Sequence, residues 1–284
     1  MRIAFATCSA LPEGWSDDHP AARMLGAEYR CWDDPAVEWE RYERVVIRST
    51  WDYTWRSADF LAWAERVGAE RLRNAPALVA FNVDKRYLAA LEARTVPTSF
   101  IAPGDPPPAL RGEVVVKPNL SAGARATGRF GPAAHRGALA LIEQICASGR
   151  VALVQQYVSS VDERGESALV FLGGELSHTL RKRAILRPDE VAPASEGELG
   201  VARAMLEPDL VSAGEASPAE LRFAEGVIAE VSARFGQPLY ARVDLLADEQ
   251  GEPLLLELEA VEPNLYMAHA EGACERLARA VLAS

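Results

Sequence analysis

The chain has 284 residues, of which 49% are hydrophobic and 25% are charged, and its acidic residues exceed its basic residues by 11. These values are typical of a soluble globular protein of about two domains, and they argue against a disordered, collagen-like or coiled-coil protein. An acidic surface repels polyanions, so no nucleic-acid partner is expected. A small cationic pocket remains compatible with this charge.

Neither the apolar runs nor the cysteines indicate a membrane or secreted protein. No apolar run approaches the ~20 residues of a membrane span, and acidic residues follow the short apolar start too soon for a signal peptide. The four cysteines lie far apart, without the paired spacing of a zinc site. We therefore expect a cytoplasmic protein with reduced thiols and no membrane association.

Short β-like runs alternate with amphipathic stretches in the first half of the chain. Strands are predicted at 3–7 and 44–49, and helices at 57–71, with Ser57 as N-cap, and from the cap Asn82 onward. The proline-rich run 103–108 must be a loop. Beyond it we predict strands at 113–117, 151–156, 167–172 and 175–181, with a helix at about 136–148.

The second half reads differently. Residues 188–214 have a loop-like composition, and the capping box at 217–220 opens a helix that ends near Gly236. Strands at 239–247 and 253–259 surround a turn, and a last helix is predicted at about 270–282. The order of elements predicts an α/β fold followed by an α+β fold.

Three carboxylates are predicted to converge on this last pair of strands. Because residues two apart on a strand point to the same face, Glu257 and Glu259 share a face, and the hairpin brings Asp244 opposite them. Converging carboxylates repel unless a cation lies between them, and oxygen ligands suit Mg²⁺. Since Arg242 alternates onto the same face, we favour a metal site over the alternative, a solvated face of the hairpin.

Two lysines and a polar strand end are further candidates. Lys117 ends an apolar strand and precedes the small-residue segment 121–128, whose N–H groups could cradle a phosphate; an ordinary flexible turn is the alternative. No Walker or Rossmann motif is present. A lysine in a first helical turn opposes the helix dipole, so Lys85 indicates either a phosphate partner or a solvated side chain. Residues 155–158 could face the edge of a base.

The stretch 48–53 follows an apolar strand, where α/β sheets place ligands. Its members are Arg48, Ser49, Thr50, Trp51, Asp52 and Tyr53. For a small zwitterion, Arg48 suits the carboxylate and Asp52 the ammonium group, with aromatic rings as a wall. A structural turn with a buried tryptophan explains the same residues.

In this order, the residues described above resemble the ATP-grasp superfamily, over about residues 82–263, with 1–76 as the usual preceding α/β domain. The resemblance implies an ATP-grasp fold with three parts: an N-terminal α/β substrate domain (1–80), a central subdomain (81–150) and a C-terminal subdomain (151–284). The two subdomains would clamp ATP between them.

The resemblance also implies roles for single residues. Lys85 and Lys117 would hold the α- and β-phosphates; Ser121, Ala122 and Gly123 would belong to the loop over the phosphates. Gln155, Gln156, Tyr157 and Val158 would bracket the adenine, with Glu166 near the ribose. Asp244, Glu257 and Glu259 would bind two Mg²⁺ ions, with Mn²⁺ as an alternative, and Arg181, Lys182 and Arg242 would stabilise the transferring phosphoryl group. Many relatives carry Asn at the position of Glu259, which leaves the metal geometry open.

ATP-grasp ligases phosphorylate a carboxylate and let an amine displace the phosphate, which implies an ADP-forming ligase for a small amino-acid-like carboxylate. The segments 48–53, 161–167 and 257–263 look most like a bacterial subgroup that includes the cyclo-ligases of cycloserine biosynthesis. There the substrate's own nitrogen closes a ring, as in D-cycloserine formation from O-ureido-D-serine.

Two other classes stay open at this point: an intermolecular carboxylate–amine ligase similar to glutathione synthetase, and a nucleotide-binding regulator without turnover. In a ligase, residues 188–214 would be a lid that protects the acyl phosphate from water. A homodimer is left open by analogy with small members of the superfamily.

Overall fold

The computed structural model describes residues 1–192 and 209–284. Its N-terminal part is a parallel sheet in the order β2-β1-β3-β4. The elements are β1 Ile3–Thr7, α1 His19–Leu25, β2 Glu28–Cys31, β3 Arg44–Ser49, α2 Ser57–Val67, β4 Leu72–Arg73 and α3 Pro76–Asn82. Every residue of β1 is buried, because helices cover both faces of the sheet.

A second sheet follows, antiparallel and in the order β5-β8-β6-β7. Its strands are β5 Thr98–Ile101, β6 Val114–Pro118, β7 Gly128–Phe130 and β8 Ala152–Gln156, with helix α4 at His135–Ala147. The buried side of α4 packs on β6 and β7 through Leu141 and Ile145 against Val116 and Phe130. Val114 and Val116 of β6 therefore face the apolar core under α4, whereas Lys117 lies on the other face of the strand.

The third sheet, in the order β11-β10-β9-β12-β13, is antiparallel throughout. Its elements are α5 Ser160–Arg164, β9 Glu166–Leu172, β10 Glu175–Lys182, β11 Val211–Gly214, α6 Pro218–Phe235, β12 Tyr240–Ala247, β13 Pro253–Glu259 and α7 Ala273–Ala283. Helices α6 and α7 join different apolar clusters of the sheet. The predicted capping box of α6 is confirmed, since Ser217 and Glu220 bond each other's backbone N–H groups.

The central strands and the long helices lie close to their predicted positions, but two helix starts differ. Ser57 is the first residue of α2 and makes no capping bond. The helix predicted from Asn82 is wrong: Asn82 ends α3, and Asp84 caps a short 3-10 helix at Lys85–Ala90. The Asn82 amide instead bonds the backbone of Leu258 and Ala260, so a tertiary contact took the place of a cap.

Five strands were not predicted, namely β2, β4, β5, β7 and β11, and each lies at a sheet edge. These five strands have only two to four residues each, and all except β7 include partly or fully exposed positions, so they lack a continuous apolar run. The strand β11 falls within the segment 188–214, for which we predicted irregular structure. The lid prediction concerns mainly residues 193–208, which lie outside the described residues.

Side-chain bonds tie the N-terminal sheet to the third sheet. The buried Asn74 amide donates to the carbonyls of Tyr240 (2.9 Å) and Ala260 (2.8 Å) and accepts from the Leu239 N–H. The Tyr240 hydroxyl contacts the carbonyls of Ile47 and Val261 at 2.7 and 2.8 Å. These bonds hold the segment after β13 against the N-terminal sheet. In the described ranges, no helix has the length and apolar character needed to cross a membrane.

Candidate active site

A cavity of about 320 Å³ lies where the three sheets meet. Most of the residues singled out in the sequence line it, and they come from the second and third sheets, from the loop after β6, from the segment after β3 and from the 3-10 helix at Lys85–Ala90. They are Trp51, Tyr53, Lys85, Lys117, Ser121, Ala122, Gly123, Gln155, Gln156, Tyr157, Val158, Glu166, Lys182, Arg242, Asp244, Glu257 and Glu259. Residues more than 200 positions apart thus share one site.

Arg181 is not among the lining residues, which contradicts its predicted catalytic position. Residues alternate between faces along a strand, so Lys182 points into the cavity and its neighbour points away. The Arg181 guanidinium contacts the Ser167 hydroxyl and the Glu215 carbonyl, 3.7 Å from the Glu220 carboxylate. It holds β10 to the start of α6.

Four residues of the predicted substrate stretch also lie outside the cavity lining. Arg48 is 2% exposed and pairs with Asp18 (2.9 Å) while donating to the Pro263 carbonyl (3.1 Å). Asp52 accepts a bond from the Trp32 indole at 2.8 Å. Ser49 bonds Thr7, and Thr50 is buried. The structural alternative therefore holds for these four, and only Trp51 and Tyr53 line the cavity.

The acidic group forms as the hairpin predicted. In the β12–β13 pairing, Asp244 faces Glu257 and Arg242 faces Glu259. Arg242 donates to both oxygens of Asp244, at 2.8 and 2.9 Å, and also bonds Glu259. Lys182 lies 3.0 Å from Asp244. Burial opposes ionisation of Asp244, but Arg242 and Lys182 outweigh it and lower the pKa of that carboxyl.

The two predicted phosphate lysines meet at one carboxylate. Lys85 donates to one oxygen of Glu257, and the Lys117 ammonium lies 3.8 Å from the other. Burial and the proximity of Lys85 lower the pKa of Lys117, whereas Glu257 outweighs burial and raises the pKa of Lys85. Two ammonium groups on flexible stems therefore share one partner and can exchange it for phosphate oxygens.

The three carboxylates are chemically suitable Mg²⁺ ligands, but in this structure each forms an ion pair with a lysine or arginine. In residues 1–192 and 209–284, no three Asp, Glu, His or Cys side chains are arranged to hold a metal ion. The cations that the convergent carboxylates require are supplied by Lys85, Lys182 and Arg242. Three oxygen donors remain a suitable Mg²⁺ set once a lysine moves to a phosphate. The metal site stays a prediction.

The small-residue loop 121–127 lines the cavity, and Arg125 attaches it to the segment 51–55. Ala124 and Ala126 adopt left-handed conformations, with φ of 56° and 49°. Between them the Arg125 guanidinium donates to the Trp51 carbonyl (3.0 Å) and the Thr54 hydroxyl (2.8 Å), and it stacks over Trp55 at 4.2 Å. The loop is therefore attached to the segment that carries Trp51 and Tyr53.

The end of β8 forms an apolar wall of the cavity. The amide of Gln155 donates to the Thr98 hydroxyl (2.9 Å) and that of Gln156 to the Glu113 carbonyl (3.1 Å). The Tyr157 hydroxyl donates to Asp162 at 2.6 Å. The N–H groups of Gln156 and Tyr157 also bond the carbonyls of Pro97 and Glu113, at 3.0 and 2.8 Å. The adenine contact of residues 155–158 stays a prediction. Apolar side chains around this end of the strand are Val96, Val115, Leu246 and Leu256.

The sequence reasoning missed the residues at the other end of the cavity: Trp15, Glu262, Asn264 and Tyr266. Trp15 carries no local signal. Glu262 follows Glu257 and Glu259 in a Glu-x-Glu-x-x-Glu spacing that could have drawn attention. Burial, together with the negative charge of Glu259, raises the pKa of Glu262 to about 8, above its ordinary value of 4.5.

Comparison with known proteins agrees with this arrangement. The profile of the N-terminal domain of D-cycloserine synthetase DcsG matches residues 3–74. The cycloserine biosynthesis protein DcsG of Streptomyces lavendulae is 35% identical, over 92% of this chain and 90% of the relative. The chain belongs to the DcsG family of ATP-grasp ligases.

Solved structures extend this result to the fold. The crystal structure of D-cycloserine synthetase DcsG superimposes with a TM-score of 0.84 at 30% identity, over 99% of this chain and 98% of that one. A RimK-domain ATP-grasp protein from Sphaerobacter thermophilus gives 0.67 at 14% identity, over 99% and 100%, and shows the fold alone. The predicted α/β and α+β ATP-grasp fold is confirmed, and this DcsG-family protein is an ATP-dependent ligase that forms carbon–nitrogen bonds.

Proposed function

We propose that this DcsG-family ligase closes the ring of O-ureido-D-serine, or of a close relative, to form D-cycloserine through an acyl phosphate. The observation that carries this choice is the likeness to a cycloserine biosynthesis protein along nearly the whole chain. The cavity supports it, because its charged groups and its aromatic end lie in one space. Intramolecular attack needs no second amine subsite.

ATP would lie along the cavity, with its base at the β8 end and its phosphates at the lysines. Lys85 and Lys117 would exchange Glu257 for phosphate oxygens, since both already reach the same point. The loop 121–127 would cover the phosphates, with backbone N–H groups as donors. Phosphoryl transfer depends on this positioning and charge neutralisation more than on covalent chemistry.

Asp244, Glu257 and Glu259 would hold magnesium, which neutralises the charge of the phosphates when bound. Lys182 and Arg242 carry permanent positive charge at the same place, because burial there is compensated by carboxylates that raise the pKa of each. They would orient the substrate carboxylate toward the γ-phosphoryl group. A water-poor cavity would then protect the acyl phosphate until the substituted ureido nitrogen displaces inorganic phosphate and closes the ring. Hydrolytic loss of the carbamoyl group, as carbon dioxide and ammonia, would then leave D-cycloserine.

The experiment is a single-substrate assay of the purified full chain with ATP, Mg²⁺ and O-ureido-D-serine. ADP release is expected without any added amine. Mass spectrometry should detect D-cycloserine, or its N-carbamoyl precursor, which is one water lighter than the substrate. ADP release that requires a second amino compound would contradict cyclisation and support an intermolecular ligase. No ADP with any carboxylate, alone or paired, would support a regulator without turnover.

A further inference from the structure

Five carboxylates line the cavity, and four of them have a cationic partner. The pairs are Glu166 and Asp244 with Lys182, Glu257 with Lys85, and Glu259 with Arg242. Among the residues that the structure describes, Glu262 is the exception, since no lysine or arginine forms an ion pair with it. Lys85 acts on Glu262 only from beyond ion-pair distance, so within the described part of the chain the carboxylate has no contacting counter-charge.

The surroundings of Glu262 are aromatic. The Trp51 indole donates to the Glu262 carbonyl at 3.1 Å, and the rings of Trp15 and Trp51 meet edge to face with centroids 5.2 Å apart. Tyr53 is buried and lines the same cavity. Aromatic rings attract cations and exclude water, so this corner of the cavity is suited to a positively charged group.

The same corner adjoins the proposed phosphoryl-transfer point. Arg242 donates to the Asn264 carbonyl at 2.8 Å while its other nitrogen pairs with Glu259, and its guanidinium lies 5.7 Å from the centre of the Tyr266 ring. A small substrate with its carboxylate at Arg242 would therefore have its remaining atoms beside the segment 262–266. The geometry connects the reacting carboxylate to Glu262 within one short molecule.

We infer that Glu262 binds the amino group of the substrate as an ammonium ion, in a subsite walled by Trp15, Trp51 and Tyr53. This inference rests on the proposed function, because it assumes a carboxylate substrate in the same cavity. The enzyme then selects carboxylates with a free amino group over N-acylated or plain ones. Burial and Glu259 raise the pKa of Glu262 although Lys85 opposes them, which agrees with a carboxyl that has no cation of the described residues in contact until its ligand arrives. Glu262 thereby takes the role that the sequence suggested for Asp52.

The test compares O-ureido-D-serine with its analogue that has hydrogen in place of the amino group, 3-(ureidooxy)propanoate. The wild type should prefer the amino substrate by about 10- to 100-fold in kcat/KM for ADP formation, the range of a charged hydrogen bond. Glu262→Gln should remove most of this preference through KM, without changing KM for ATP or the Mg²⁺ concentration for half-maximal rate. The exposed Glu271→Gln is the charge-matched control and should behave as the wild type.

Three results would overturn the inference. They are an equal loss on both substrates in Glu262→Gln, a shift of its Mg²⁺ dependence, and loss of the preference in Asp52→Asn instead.

If the wild type turns over no carboxylate, the proposed function fails separately. Calorimetric binding of the same two compounds, with a non-hydrolysable ATP analogue present, then decides. A tenfold weaker binding of the amino compound alone in Glu262→Gln supports the inference, and equal binding contradicts it.

Discussion

At the scale of single residues, the site depends on carboxylates shared between cations. Glu257 is the clearest example, because it contacts Lys85 and lies 3.8 Å from Lys117. Removing one member of a buried charged group leaves the other charges unpaired. This destabilises the protein more than replacing the whole group with apolar residues would. The two lysines favour the ionised form of Glu257, because they lower its pKa against the effect of burial.

Glu257→Gln should therefore lower the rate of ADP formation by about 10²- to 10³-fold, the usual effect of removing one preorganised charge contact. It removes one oxygen of the proposed metal site and the negative charge between two ammonium groups. Steady-state kinetics measures the loss, and circular dichroism checks the fold. Glu271→Gln, the same change at an exposed position, should keep its activity. A Glu257→Gln rate within tenfold of the wild type would contradict the assignment.

Glu262 should make the stability of the ligand-free protein depend on pH. Its pKa is raised from 4.5 to about 8, so between these values the folded state holds a proton that the unfolded state has released. The contribution is fully present below pH 4.5 and is lost as the pH rises through 8. Thermal unfolding should show that stability falls less over this interval in Glu262→Gln than in the wild type. Parallel curves would show that the carboxyl is already ionised at neutral pH.

At the scale of elements, the loop 121–127, which we propose covers the phosphates, is attached to a neighbouring segment. Arg125 joins it to the 3-10 turn at Tyr53–Trp55 through a bond to Thr54 and the stacked indole of Trp55, and to Trp51 through a second bond. Since that turn adjoins Trp51 and includes Tyr53, the proposed substrate-binding and nucleotide-binding parts of the cavity are directly connected through Arg125. A change at Arg125 should therefore affect both.

Arg125→Met should raise KM for ATP by about tenfold or more, because it removes hydrogen bonds from a charged donor. It should also increase the ADP released per molecule of product, since a loosened loop admits water to the acyl phosphate. Coupled ADP and product assays give both values. The exposed Arg111→Met serves as the control for loss of an arginine. An unchanged ratio of ADP to product would contradict the link.

The turn before β9 is a second element with little freedom. Gly165 has a φ of +69°, and a Cβ there would lie 2.4 Å from the carbonyl oxygen of Lys182. Gly165→Ala should lower the free energy of unfolding by about 2–3 kcal/mol and displace Lys182, reducing activity as well. Gly149→Ala has a similar φ of +80° with nothing within 4 Å, so it should show only the backbone effect, about 1 kcal/mol, with activity retained.

At the scale of the whole molecule, the cavity exists because the N-terminal sheet is fixed against the third sheet. Asn74, 2% exposed, satisfies three backbone groups across this boundary. The Arg48–Asp18 pair lies at the same boundary and reaches the Pro263 carbonyl. Buried polar groups of this kind define one arrangement of the parts, since any other leaves them unpaired.

Asn74→Ala should lower the free energy of unfolding by about 2–4 kcal/mol, because three buried backbone groups lose their partner. Urea unfolding followed by tryptophan fluorescence measures it. The exposed Gln250→Ala should stay within about 0.5 kcal/mol of the wild type. Small losses in both variants would mean that the boundary is held by apolar contacts alone.

Local pattern was sufficient for the interior strands of each sheet and for the edge strand β13. The strands β1, β3, β6, β8, β9, β10, β12 and β13 and the helix α6 were predictable, because continuous apolar runs and a capping box depend only on neighbouring residues. The same holds for the facing of Asp244 and Glu257, which follows from the two-residue period of a hairpin. The other five edge strands, with only two to four residues each, carried no comparable signal.

The sequence by itself determined which chemistry the chain carries: two lysines, an Arg-x-Asp strand and a Glu-x-Glu strand in the order of an ATP-grasp ligase. Only the tertiary structure decided which charged residues meet. Strand alternation directs Arg181 away from the cavity. Arg48 pairs with Asp18, and Asp52 accepts a bond from Trp32, so both are structural. Trp15 and Glu262 line the cavity at its proposed substrate end. The physical reason is that a side chain's role depends on its partners, and these partners lie up to 215 positions away in the chain.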